Sequence, residues 1–277
     1  MTLPVRRLTL DDLPACLDLA ADREWPREER KWRLLFEVGE VYGIVEPGDG
    51  VVGTTIVTRY EPGAAISMVL VAARRERRGL GGRMMRHALE QTGPGPVVLY
   101  ATEYGRLLYE RHGFAVVGAA TAHAGRWRPE PNGIPPVSRP ATPADTRAIA
   151  ALDAAVFGSD RGRLVGRLPE FAEQVRVAER DGATAGYTAT WRNIDTVHIG
   201  PVVAADEAMA RALIAEAAAG VDGPVRIDLG HERPDLRAWA AGHGLEPRFA
   251  VSLMAVGGRL PDGDPQRQFA PLMQALG

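Results

Sequence analysis

The segment Met68-Val69-Leu70-Val71-Ala72-Ala73-Arg74-Arg75-Glu76-Arg77-Arg78-Gly79-Leu80-Gly81-Gly82-Arg83 decides how the first half of this chain is read. An apolar run of strand character enters a turn rich in arginine and glycine. Beyond it, Met84, Met85, Ala88 and Leu89 fall on one side of a helix. Glycines at such a turn let several backbone N–H groups point into one concavity without Cβ interference. The helix behind them adds unpaired amides and the positive end of its dipole. Together these make an anion site suited to a diphosphate, with Arg77, Arg78 and Arg83 adding attraction for phosphate. A tight structural turn is the competing reading.

Two familiar phosphate loops do not fit. No Gly-Lys-Ser/Thr ending is present, as a P-loop requires. Met84 stands where a dinucleotide fingerprint needs its third glycine. With Leu107-Leu108-Tyr109-Glu110-Arg111-His112-Gly113-Phe114, the run over 69–85 resembles the GNAT superfamily of N-acetyltransferases. Gly79 and Gly81 occupy the glycine positions of that superfamily's Gln/Arg-x-x-Gly-x-Gly/Ala segment. Tyr109, Gly113 and Phe114 match its Tyr-x-x-x-Gly-Phe segment. The Gln/Arg position falls on Glu76, which the reading requires to point away from a diphosphate.

The resemblance covers essentially the whole first half and implies acetyl-coenzyme A as cosubstrate and a small-molecule amine as acceptor. Val69, Leu70 and Val71 would offer backbone groups to the pantetheine arm, which binds like an added strand. The amides of Arg77, Arg78, Gly79, Leu80, Gly81 and Gly82 would hold the diphosphate. A backbone N–H near Val69 or Leu70 would polarise the thioester carbonyl. Tyr109 would act as the acid for the departing thiolate; its competing role is a core aromatic beside Leu107 and Leu108. Transfer would be direct, because no activated nucleophile is visible. An acyl-coenzyme A sensor without turnover is the alternative function.

A proline-rich seam, 128–138, reads as a linker, because Pro removes backbone donors and restricts its neighbours. It separates a first domain, 1–127, from a second, 139–277. The second echoes the first at an offset of about 132 residues. Arg7 and Asp12 are echoed by Arg139 and Asp145, and Val69-Leu70-Val71-Ala72-Ala73 by Pro201-Val202-Val203-Ala204-Ala205. Likewise Arg111-His112-Gly113-Phe114 is echoed by Gly242-His243-Gly244-Leu245. Chance similarity in an Ala-rich chain is the competing explanation. The stretches Ala151-Leu152-Asp153-Ala154-Ala155-Val156-Phe157-Gly158 and Ile199-Gly200-Pro201-Val202-Val203 are similar to tandem acetyltransferases with a YitH/HolE-like C-terminal domain.

The fold class expected is α/β (α+β), two tandem GNAT-like domains, each a mixed, mostly antiparallel sheet flanked by helices. In the first half, strands are expected over 5–9, 41–46, 51–59, 66–71, 97–101 and 115–117. Helices are expected over 11–22, 26–36, 82–91 and 104–112. In the second half the strand ending Val203-Ala204-Ala205 runs straight into Asp206-Glu207, and Ala240 stands at the place of Tyr109. Two acids there repel a diphosphate, so this half is expected to be degenerate.

The acceptor side is expected along 22–32, where Glu24 and Trp25 are candidate substrate contacts and Glu28 the candidate base. Alternatively this is a solvated amphipathic helix with Trp25 and Trp32 packed inward, seven residues apart. The single cysteine, Cys16, excludes an intramolecular disulfide and a thiolate cluster, and the six histidines lack metal spacing, so no metal is expected. A net charge of -2 gives no reason to expect a nucleic-acid or membrane partner. No run approaches the roughly 18 apolar residues of a membrane span, and no signal peptide is read at the start, so the expected location is the cytoplasm.

Overall fold

The computed structural model describes residues 3–130 and 135–277. The chain divides into two compact units, Met1–Val116 with Met254–Leu260 and Ala275–Gly277, and Val117–Leu253 with Pro261–Gln274. Packing thus divides the chain differently from composition. Part of the expected linker, 131–134, lies outside the described residues. On either side of it, 127–130 and 135–137 carry no regular structure, and Ser138 already opens a strand.

The first unit runs β1 (Val5–Arg7), α1 (Leu13–Asp22), α2 (Glu29–Val38), β2 (Glu40–Glu46), β3 (Gly50–Tyr60), β4 (Gly63–Val71), α3 (Leu80–Gln91), β5 (Val97–Ala101) and α4 (Glu103–Glu110). Strands β1 to β4 pair antiparallel in sequence order, and β4 and β5 are parallel. The sheet is therefore mixed and mostly antiparallel. The turn Pro47-Gly48-Asp49-Gly50 joins β2 to β3 with both glycines at positive φ, 80° and 73°. Trp32, Leu35, Ile44, Ile56, Ile66, Met84 and Met85 are fully buried, which fixes the apolar stripes of α2 and α3 against the sheet.

The second unit contains β6 (Ala115–Arg126, from Val117 onward), β7 (Ser138–Pro140), α5 (Thr146–Phe157), α6 (Gly162–Val165), α7 (Leu168–Phe171), β8 (Gln174–Arg180) and β9 (Ala183–Asn193). It continues through β10 (Thr196–Val203), α8 (Glu207–Ala219), β11 (Pro224–Gly230), α9 (Pro234–Gly242), β12 (Glu246–Val256) and β13 (Gln268–Ala270). Its strand order is β12-β6-β11-β10-β9-β8-β7, with β13 on β10. The last residues of β12, Met254–Val256, belong to the first unit, where β12 neighbours β5.

Strand β6 is much longer than the expected 115–117. Its Ala and Gly residues have weak strand preference, and pairing with β11 from Ala120↔Gly230 to Arg126↔Pro224 sustains it. The duplication has a structural signature. On β4, Ser67 and Leu70 face Ile56 and Thr54 of β3, so β4 spends an extra residue there. On β10, Ile199 and Val202 face Thr190 and Thr188 of β9 in the same way, at an offset of about 132 residues. A matching pair of charge clasps opens each half. Arg6 grips Asp12 at 2.6 and 3.0 Å, and Arg139 grips Asp145 at 2.8 Å with both guanidinium nitrogens. Arg6, not Arg7, is therefore the counterpart of Arg139; Arg7 reaches Glu40 instead.

Candidate active site

The bulge in β4 centres on Met68, whose φ of 48° is unusual for a side-chain-bearing residue. The Thr54 hydroxyl donates to the Met68 carbonyl at 2.8 Å, turning that oxygen toward β3. Because the peptide is planar and trans, the N–H of Val69 points the opposite way. On that opposite edge, β4 pairs with β5 only at Ala64↔Val97 and Ala65↔Val98. Beyond this base the two parallel strands part. Val69, Leu70 and Val71 keep β3 on one edge, with Leu70↔Thr54 and Val71↔Gly53, and have no strand partner on the other among the described residues. Gly277 packs at the base of the split, where a Cβ would lie 3.2 Å from Val98 and 3.5 Å from Ala65.

The glycine turn follows directly. Gly79 is the N-cap of α3 with φ 77°, and Arg77 is also left-handed at 58°. Alternation of left- and right-handed residues draws successive N–H groups into one concavity. The left-handed Gly79 also explains why α3 starts at Leu80 and not at the expected 82. The first-turn amides of α3 have no carbonyl four residues behind them. Arg77 and Arg78 are exposed, and neither has an acidic partner among the described residues. Gly81 packs against α4: a Cβ there would meet Leu108 at 3.2 Å. Gly82 lies beside His112, whose pKa is lowered by burial and by Arg86, which leaves the ring neutral near pH 7.

Glu76 turns away from this concavity. It pairs with Arg23 at 2.6 Å and accepts a hydrogen bond from the Tyr104 hydroxyl at 3.0 Å. The carboxylate is thereby neutralised beside the turn. Asp22 accepts from the Ala73 amide at 2.6 Å and ties the end of α1 to the start of the turn. Sequence reading missed all three of these contacts, which join residues distant in sequence and leave no local signal. The bulge did have a signal. Pro in a central strand marks an irregularity, and Pro201 stands in the second half where Val69 stands in the first.

Tyr109 lies on α4 and is buried; its ring covers Gly105 and meets Phe114 edge-on, with centroids 6.1 Å apart. Burial pushes its phenol up to about 12. The positive φ of Gly113, 84°, lets the chain turn so that the Phe114 amide reaches the Tyr109 carbonyl. The acceptor candidates lie between α1 and α2. Glu24 is exposed at φ 59°, and Trp25 is exposed with Lys31 Nζ 6.0 Å from its ring. Glu28 is buried and paired with Lys31. Trp32 is fully buried, whereas Trp25 is not, so the two do not form one inward face. Residues 25–28 carry no regular structure and α2 begins only at Glu29, placing Trp25 outside the helix.

The profile of the GNAT acetyltransferase family matches residues 6–114, and that of a second GNAT acetyltransferase domain matches residues 149–270. Both halves belong to the GNAT superfamily. An uncharacterized N-acetyltransferase of Bacillus subtilis (strain 168), YitH, is 26% identical over 234 residues, covering 83% of each chain. A crystal structure from Pyrococcus horikoshii superposes with a TM-score of 0.83 at 20% identity, covering 99% of this chain and 96% of its own. A tandem GNAT protein from the clavulanic acid biosynthesis pathway gives 0.68 at 17%, covering 93% and 99%. This tandem GNAT chain therefore carries the acetyltransferase fold twice. No described helix is long and apolar enough to cross a membrane.

Proposed function

We propose that the first unit transfers an acetyl group from acetyl-coenzyme A directly to the amine of a small molecule. The observation that carries this reading is the half-paired edge of β4 leading, through a single helical turn at Ala73–Arg75, into the amide-rich turn at Gly79. An extended, amide-bearing arm ending in a diphosphate complements that edge and turn in order. Val69, Leu70 and Val71 hold the arm, and the amides of 77–82 with Arg77 and Arg78 hold the diphosphate. The thioester supplies the activated acetyl group. The Val69 N–H, aimed into the split, stabilises negative charge as it develops on the carbonyl oxygen.

Tyr109 serves the leaving sulfur as a hydrogen-bond donor. With its phenol near 12 and a thiol at about 8.5, complete proton transfer to the thiolate is uphill by about 5 kcal/mol. The proton that neutralises sulfur is then the one the amine gives up. Glu28 is assigned as the group that relays this proton, and Glu24 and Trp25 as contacts for a cationic acceptor. The second unit contributes scaffold and lacks these chemical groups.

Calorimetry with acetyl-coenzyme A, run beside a thiol-release assay over an amine panel, tests the reading. Binding with release for at least one amine supports it. Binding without release for any amine favours an acyl-coenzyme A sensor, and no binding overturns it.

A further inference from the structure

The strand in the second unit that corresponds to β4 is not half-paired. Val202 and Val203 of β10 pair with Thr188 and Tyr187 of β9 on one edge, and with Ala270 and Gln268 of β13 on the other. As in the first unit, β10 and its parallel neighbour β11 pair only at the base, at Val197↔Val225 and His198↔Arg226. Strand β13 enters the gap where they part. The Ala204 amide donates to the Arg267 carbonyl at 3.0 Å, continuing the ladder.

The fit is built on both sides. Gly200, at the bulge, lies so close to the inserted segment that a Cβ would fall 2.1 Å from the Pro271 carbonyl oxygen. The Trp191 indole N–H donates to the Leu272 carbonyl at 3.2 Å, and Arg267 to the Ala185 carbonyl at 3.1 Å. Arg233 donates to the carbonyls of Pro265 and Gln266 and lies 4.3 Å from the Phe269 ring centroid. Phe269, Ala270, Leu272 and Met273 are all buried. Main-chain pairing, a pocketed aromatic and a close backbone approach are the marks of β-augmentation by an extended peptide.

We propose that the cleft of the second unit is a peptide site occupied in cis by residues 267–272, which hold the place that the proposed cofactor arm takes in the first. The chain then has one coenzyme site, and the second fold is kept whole by its own strand. Only this count rests on the transferase reading; the occupancy does not.

Hydrogen exchange on the intact protein, with and without saturating acetyl-coenzyme A, tests the inference. Peptides over 199–205 and 266–273 are expected to exchange at least about 100-fold slower than an unstructured chain and to be unchanged by the ligand. Peptides over 67–85 are expected to slow on its addition, and calorimetry to give one ligand per chain. Ala270→Asp is expected to speed exchange over 199–205 at least about tenfold. Exchange at the rate of an unstructured chain over 266–273, ligand-induced protection of 199–205, or a second bound equivalent would each overturn the proposal. Should no ligand bind anywhere, the transferase reading fails, while the exchange of 266–273 still decides the occupancy.

Discussion

The edges of β4 and β10 begin on one plan and end in opposite states. Both strands bulge at equivalent positions, both split from a parallel neighbour, and both are followed by a helix. In the first unit the bulge presents the Val69 N–H, the edge beyond it has no strand partner among the described residues, and the turn is built on Gly79, Gly81 and Gly82. In the second, Pro201 has no N–H to present, β13 covers the edge, and Asp206 caps the helix through the Met209 amide at 2.9 Å. Tyr109 gives way to Ala240 at the same corner, where Phe114 and Leu245 make the same backbone contact. Four independent losses on one template teach that the fold needs the bulge and the split for its own packing. The proposed chemistry needs what is left unfilled there.

The comparison can be broken most decisively at Gly81. Gly81→Glu puts into the first unit the charge that the second already carries, and crowds Leu108. Binding of acetyl-coenzyme A should fall at least about 1,000-fold, roughly 4 kcal/mol. Calorimetry reads the loss, with circular dichroism to show that the variant is folded; retained affinity would place the diphosphate elsewhere.

A large effect of another kind is expected at a buried charge network in the second unit. Asp153 and Arg161 form a buried pair at 3.0 and 3.2 Å, and the Tyr187 hydroxyl donates to Asp153. Asp153→Ala removes the buried carboxylate that Arg161 grips and should cost about 3–5 kcal/mol in urea unfolding. A loss below about 1 kcal/mol would mean that the other contacts of Arg161 compensate.

Tyr109→Phe sharpens the contrast with Ala240. Coenzyme affinity should stay within about twofold, and turnover should fall about 100- to 1,000-fold. The phenol's raised pKa keeps it protonated at every pH below about 12. Turnover of the natural protein should therefore show no loss between about pH 8 and 11 from its ionisation. A fall centred near 10 would mean that the phenol is solvated and unperturbed.

The smallest effect compares the two clasps. Hydrogen bonding from Arg6 holds Asp12 below its usual carboxylate range, and Arg139 does the same for Asp145. A depressed folded pKa gives stability that is present above about pH 4 and lost as pH falls further. Asp12→Ala and Asp145→Ala should each lower Tm by about 2–4 °C at pH 7 and by less at pH 3. A drop that persists undiminished at pH 3 would show that the carboxylate charge is not its source.

Much of this was legible because it is local. The strand–turn–helix at 68–85, the Gly113-Phe114 corner and the hairpin at Pro47 are written in residues whose backbone preferences act within a few positions. The repeat was legible too, although its arginine was misplaced by one. Arg6 and Arg7 are adjacent and chemically alike, and only pairing with Asp12 distinguishes them. The alternative reading of Trp25 as inward-facing rests on a seven-residue spacing from Trp32 that has meaning only inside a helix, and α2 starts at Glu29.

By itself, then, the chain's order of residues determined where backbone amides are freed by glycine and withheld by proline, and hence which half has donors for an anion. Tertiary structure alone decided which strand edges stay open, where Glu76 finds its cation, and that residues 267–272 return to β10. Dihedral preference is a property of single residues. Filling a gap between two strands depends on chain that is distant in sequence, and burial of Phe269 and its neighbours is what brings it there.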